Sequence, residues 1–229
     1  MSFTLFINFA HGGKPAARIS AEDDAKLTSL LKPIKGLTRA HVYTPSKAHD
    51  PFLDDGAPPR LVLQLFFEKL PDLEASVSRT GPLQALATDF PSLADAAMTY
   101  EALVARIFPT PEPKIRAEPW CSYLVAYEGP AEDPNLWLEH YIAHHPPIMR
   151  TMPGIRELEI YTAIDWIGFL PATKVRHLQR NKTTFDSNDA LSAGLQSPAR
   201  SEMRKDYESF PKFTGGVTHF PMSTRAVRP

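Results

Sequence analysis

Gly36-Leu37-Thr38-Arg39-Ala40-His41-Val42-Tyr43-Thr44-Pro45 returns 118 residues later as Gly154-Ile155-Arg156-Glu157-Leu158-Glu159-Ile160-Tyr161-Thr162-Ala163. The glycine, the Tyr-Thr pair and the apolar alternation are kept. The same shift carries Phe67 onto Phe185, Leu73 onto Leu191 and Ala75 onto Ala193 with no gap, so two strands and the start of a helix recur at fixed spacing. A period of this kind is read before any single element, because it sets the architecture. Here it predicts two similar halves that need each other.

Around the repeated stretch, each half spells the same order. In the first, Phe3 to Phe9 is rich in β-branched and aromatic residues and reads as a strand. Ser20 before Glu22, Asp23 and Asp24 reads as a helix N-cap with negative charge in the first turn, the helix running to about Leu31. Strands at Leu37–Tyr43 and Arg60–Phe67 follow, separated by a Pro/Asp/Gly-rich stretch from Pro45 to Pro59 that reads as a long mobile loop. A helix from Pro71 to Ser78, a helical piece from Pro82 and a strand over Ala97–Phe108 complete the half.

Thr110-Pro111-Glu112-Pro113-Lys114 reads as an extended linker, giving units at 1–109 and 119–229 joined by 110–118. The order then restarts. Strands are predicted at Cys121–Tyr127, Ile155–Thr162, Lys174–Phe185 and Val217–Arg225, with helices over Pro134–His145 and, in two pieces, Asn188–Phe210. Each βαββαβ unit is ferredoxin-like, an antiparallel sheet with helices on one face only. The expected fold is therefore α+β, two tandem ferredoxin-like units whose bare sheet faces cover one another in an α/β barrel.

Composition excludes several classes. A net charge of −1 argues against phosphate-backbone binding, so no nucleic acid is expected as a partner. No apolar run approaches the roughly 18 residues of a membrane span, and Met1–Ala10 lacks the basic start of a signal peptide. Cys121 is the sole cysteine, so no internal disulfide can form; a cytoplasmic location is the expectation.

In the second half, Trp137-x3-Tyr141-x3-His145-x-Pro147 is followed by Met152-Pro153-Gly154 and a strand. Phe185-Asp186-Ser187, Ala190-Leu191, Ser197-Pro198, Asp206 and Phe210 come after it in order. This succession, from about Trp120 to Arg225, resembles the EthD family of the dimeric α/β-barrel superfamily. The first half departs from the pattern, with Lys32-Pro33-Ile34-Lys35 where the His-Pro segment is expected, which implies one working site on the second half. The resemblance implies a small-molecule protein, a member of a superfamily that includes cofactor-free isomerases, cyclases, decarboxylases and monooxygenases as well as heme proteins.

On a helical wheel Leu138, Tyr141, Ile142 and His145 share a face, while His140 and His144 point aside. His145, placed at a helix C-terminus, reads either as a general acid/base or as a cap. Tyr141 reads as its hydrogen-bonding partner or a substrate-orienting phenol. His140-x3-His144 has the i, i+4 spacing of a metal pair but lacks the glutamate of HExxH and any cysteine, so no metal is expected. A heme ligand at His145 or His177 rests on a lone histidine, and no cofactor is expected.

Arg176 and Arg180 are expected to anchor a carboxylate, with His177 nearby, unless this polar strand is a solvated edge. Tyr43, Tyr161 and His41 are candidate pocket groups or core residues. Trp166, in the apolar segment Ile164–Pro171, reads as part of a lid or partner patch. The reading that follows is a cofactor-independent lyase or isomerase, working by decarboxylation or proton transfer on a small aromatic or lactone-like acid in a catabolic or secondary-metabolite pathway, with a homodimer as the expected assembly. A non-catalytic carrier and a cofactor-free monooxygenase of polyphenols are the alternatives.

Overall fold

The computed structural model describes residues 2–10, 18–116 and 118–229. Its first half runs β1 (Ser2–Ala10), α1 (Ala21–Leu31), β2 (Leu37–Pro45), β3 (Leu61–Phe67), α2 (Leu70–Ser76), two 3-10 turns, and β4 (Ala97–Phe108). The second runs β5 (Trp120–Tyr127), α3 (Pro134–Met149), β6 (Ile155–Ala163), the two-residue β7 (Thr173–Lys174), β8 (Gln179–Phe185), α4 (Asn188–Leu195), α5 (Pro198–Glu208) and β9 (Val217–Val227). Ser20 caps α1 as its sequence suggested, accepting from Asp23 N at 3.1 Å. Of the expected linker, Ala117 lies outside the described residues.

The strands are ordered β1-β3-β2-β9-β5-β8-β6-β4, and β4 pairs back with β1. Eight antiparallel strands thus close into a barrel, with β7 lying parallel beside β4. Each half contributes the ferredoxin-like order fourth-first-third-second. Two seams join the halves edge to edge, β2 to β9 and β4 to β6. Closure removes the free sheet edges that would otherwise template aggregation. Residues 118 apart behave alike: β2 and β6 carry the same register shift, at Leu37/Arg39 and Ile155/Glu157, each preceded by a glycine at positive φ, Gly36 at 76° and Gly154 at 78°.

Alternation divides the side chains between two environments. One set faces the helices and forms two apolar cores. Leu5, Ile7, Phe9, Leu63 and Leu65 lie under α1 and α2, and Val125, Tyr127, Leu158, Ile160 and Phe185 under α3 to α5. The other set fills the barrel. It has a small apolar cluster of Phe6, Tyr43, Val62, Leu103, Leu124, Tyr161 and Met222, and around it an unusually polar network.

Lys182, with no exposed surface, sits 2.9 Å from Glu159 and 3.1 Å from Glu157. Arg39 reaches Glu159 at 3.4 Å. Tyr161 donates to Glu159 and accepts from Gln64, and Tyr43 donates to Gln64. Buried charges persist only when paired; Lys182 is matched by the two carboxylates, and the half-exposed Arg39 brings the second positive charge that balances them.

Four expectations need correction. α3 does not stop at His145 but continues through Pro146 and Pro147 to Met149. Only the two prolyl N–H groups are lost, and the ladder resumes with Arg150 N donating to Pro146 O at 3.0 Å. The expected strand Lys174–Phe185 is broken between Lys174 and Gln179. Counted at the 118-residue offset, the first-half counterpart of His145 is not in Lys32–Lys35 but is Leu27, which is fully buried in the first core. Trp166 is no lid: it packs edge-on against Tyr100 at 5.4 Å under Lys174, and its segment is pinned to the first half by Phe169 N donating to Val77 O and Ile167 N to Glu74.

Candidate active site

The buried stripe of α3 is Trp137, Tyr141, His145 and Met149, one residue per turn. Leu138 and Ile142, which the wheel grouped with them, are half-buried. Trp137 stacks on Tyr141 at 5.2 Å, and Phe210 and Phe213 close around them. This aromatic block fixes His145 above the helix-facing side of the second sheet.

His145 Nδ1 lies 2.7 Å from Asp206 Oδ2, across from α3 to α5. A carboxylate only accepts, so Nδ1 carries the proton and the neutral ring keeps its lone pair on Nε2. Burial pushes the His145 pKa below the ordinary imidazole value. Asp206 pulls it up, by hydrogen bond and by charge, but does not offset the burial. The ring is thus a neutral base at neutral pH, held in one tautomer. His145 is not at the helix end, since another turn of α3 follows it.

The ring faces a cavity of about 320 Å³, within the range of small-molecule sites. Val125, Tyr127, Met149, Met152, Leu195 and Met203 give it an apolar wall. Polar groups enter at a few points. Asn181 donates from Nδ2 to Tyr141 Oη at 2.9 Å, which leaves its buried Oδ1 at the cavity with no hydrogen-bond partner among the described residues. Arg200 also lines the cavity, but its Nε donates to Asp50 Oδ2 at 3.1 Å, and Tyr123 Oη donates to the same oxygen at 3.0 Å. Arg204 is paired with Glu208 at 2.9 Å.

Asp50 belongs to the long loop between β2 and β3, expected to be mobile. The loop instead crosses from the first half onto the second. Leu53 lines the cavity, His49 N donates to Ser192, and Asp55 pairs with His219 at 2.8 Å. The His219 hydrogen bond holds the Asp55 carboxyl below the usual range despite partial desolvation.

The structure gathers few of the other sequence candidates here. Tyr141 is buried and burial pushes its phenol up, so it stays protonated; its hydroxyl meets Asn181, not His145. Tyr43, Tyr161 and His41 point into the barrel, on the opposite face of the sheet, as core residues with satisfied polar atoms. Arg180 is also inside, 3.0 Å from Glu101 and over the Phe6 ring, and His177 holds the same carboxylate at 2.7 Å. Arg176 is exposed beside Asp165. Asp206 stood out in the sequence only as part of the EthD-like succession. Asn181, Arg200 and Asp50 were missed. Asn181 could have been found from alternation on β8, whereas no local pattern announces Asp50.

Comparison with known proteins finds no matching family model and no matching curated sequence. Solved structures do match over the whole chain. An anthrone oxidase-like protein superposes with a TM-score of 0.63 at 14% identity, covering 99% of this chain and 93% of its own. A candidate monooxygenase of Fusobacterium nucleatum gives 0.58 at 9% identity, covering 99% and 94%, and one of Lactobacillus acidophilus 0.53 at 10%, covering 99% and 96%. The fold is that of the dimeric α/β-barrel proteins. At these identities the likeness establishes architecture, and activity has to be argued from the site. Among the described residues no helix is long and apolar enough to cross a membrane.

Proposed function

We infer that the cavity under α3 and α5 binds a small, flat, largely apolar molecule carrying phenolic or enolisable groups, and that His145 acts on it as a general base. The observation behind this reading is the His145–Asp206 pair, in which a carboxylate fixes the imidazole on one side while the ring lines a mainly apolar cavity. Asn181 Oδ1 supplies an acceptor for a substrate hydroxyl, since burying it unpaired costs free energy that such a donor recovers. The chain is read as two units, 1–109 and 119–229, with catalysis confined to the second.

Proton abstraction by Nε2 is the first step of several reactions. Returning the proton elsewhere gives an isomerisation. Alternatively, the carbanion of a CH2 flanked by aromatic rings can give up electrons to dioxygen, R2CH2 + O2 → R2CO + H2O. The second outcome is preferred here over decarboxylation. Arg176 and Arg180 do not reach the cavity, and Arg200 and Arg204 are already paired, so among the described residues that line it a carboxylate would find no unpaired arginine. Likeness to an anthrone oxidase-like protein lends support.

The test is dioxygen uptake with an anthrone-type probe, alongside exchange of its acidic C–H in deuterated water, for the wild-type chain and His145→Ala. Uptake or exchange that disappears in the variant supports a general base. A probe that binds but neither exchanges nor consumes oxygen would make the protein a carrier.

A further inference from the structure

On the outer side of the same helix pair, two histidines set aside at the sequence level converge on a carboxylate. His140 and His144 sit one turn apart on α3, rings 4.4 Å apart. Asp206, from α5, presents Oδ1 at 3.6 Å from His140 Nε2. One ligand atom from each of the three lies within 4.8 Å of the others. We propose that His140, His144 and Asp206 form a binding site for a divalent transition-metal ion, zinc being the natural probe.

The second coordination layer is already in place for one of the histidines. His144 Nδ1 is 2.8 Å from the carbonyl oxygen of His140, which can only accept. Nδ1 is therefore the protonated nitrogen, and Nε2 holds the lone pair, with a backbone carbonyl orienting the ring as in most metal-binding histidines. His140 Nε2 rests on Ser209 Oγ at 3.2 Å, and the Ser209 hydroxyl donates to Asp206 O at 2.7 Å. Its proton has to shift to Nδ1 when an ion binds. Asp206 needs no rearrangement, because Oδ2 holds His145 while Oδ1 is turned to the histidines.

Zinc bonds of about 2.0–2.1 Å set ligand atoms roughly 3.4 Å apart in a tetrahedron, so the cluster must close by up to about 1.4 Å. His144 is exposed and free to make that movement. Two imidazoles and one carboxylate leave a fourth position for water. The donor set favours zinc, nickel or copper over magnesium or calcium. An ion here would clamp α3 to α5, the two helices that roof the cavity, and so stabilise the folded chain by mass action.

The experiment is calorimetric titration of the tag-free full chain with zinc chloride, paired with thermal melting at matched zinc concentrations. One zinc per chain at micromolar affinity or tighter is expected, with a raised melting temperature. His144→Ala and His140→Ala should each weaken binding at least tenfold and cancel the thermal shift. His144→Ala is the decisive variant, because an exposed side chain can be removed without endangering the fold. Zinc binding only at millimolar concentration, or affinity unchanged in His144→Ala, overturns the site.

Discussion

His145 Nδ1 and Asp206 Oδ2, 2.7 Å apart, join α3 to α5 across 61 residues of sequence. The pair orders the site in two ways: it selects the tautomer that keeps the lone pair on Nε2 of a ring that lines the cavity, and it ties together two of the helices that cover the second sheet. Its dependence on both partners makes it directly testable.

Replacing His145 with alanine should lower turnover by about 10²–10⁴-fold, the usual contribution of a positioned general base. Asp206→Asn should lose less, since the base remains but its tautomer is no longer dictated. The lost hydrogen bond is worth on the order of 1 kcal/mol, so melting should fall by only about 2–4 °C. Steady-state kinetics and a melting curve on each variant check this. Near-full turnover in His145→Ala would remove the histidine from the chemistry.

The two buried imidazoles set a pH dependence. Burial lowers the pKa of His145 and, further, that of His41, whose neighbours Lys182 and Arg39 add repulsion. Between these lowered values and about 6.5, the ordinary imidazole pKa, the unfolded chain binds more protons than the folded one. Stability therefore rises with pH across that window and is lost as pH falls through it. Glu101 and Glu159 are also held low: burial opposes this, but the His177 hydrogen bond with Arg180 and the Lys182 charge respectively outweigh it. Their contribution persists until pH drops below about 4.3. Melting temperature should decline in two stages, one between about pH 6.5 and the lowered imidazole values and one below about pH 4.3, and turnover should show an acid limb below about 6.5. A melting temperature flat from pH 7.5 to 5.5 would contradict the first stage.

The fold was readable because its signals are local and repeated. A positive-φ glycine before a strand, the alternation of Ala40 and Val42 against His41 and Tyr43, and the cap at Ser20 are each written within a few residues. The candidate site was readable only where helical periodicity carries it, as with the buried stripe that holds Tyr141 and His145. Alternation placed Arg180 and Lys182 on one face, but it cannot tell which face meets the barrel interior, where both are paired with buried carboxylates. Asp50 and Arg200, 150 residues apart, meet only because the first half's loop crosses a seam of the closed barrel. No local pattern encodes that.

Lys182 offers a test of the barrel interior apart from any activity. Replacing it with alanine leaves Glu157 and Glu159 facing each other without their shared cation, a loss of about 3–5 kcal/mol when one partner of a buried pair is removed. Denaturant unfolding measures the difference. Arg176→Ala, at an exposed pair, should change stability by less than about 1 kcal/mol. Equal effects from the two would contradict the placement of Lys182 inside the barrel.

Asp50→Asn tests the crossing loop and the charge of the cavity together. Asp50 accepts from both Arg200 and Tyr123, so it anchors the loop carrying Leu53 and also neutralises the guanidinium that lines the cavity. The amide keeps the shape but not the charge. The variant should bind the neutral aromatic probe more weakly, because the loop is less firmly held, and should appear mainly as a raised KM with kcat within a few fold. It should also gain affinity for a carboxylate-bearing analogue, since Arg200 is released to make a charge-assisted bond worth about 1.5–3 kcal/mol, or roughly 10–150-fold in Kd. Titration of both ligands into wild type and variant gives the answer. If the variant discriminates between them as the wild type does, Arg200 does not set the cavity's charge preference, and the preference for a neutral substrate needs another cause.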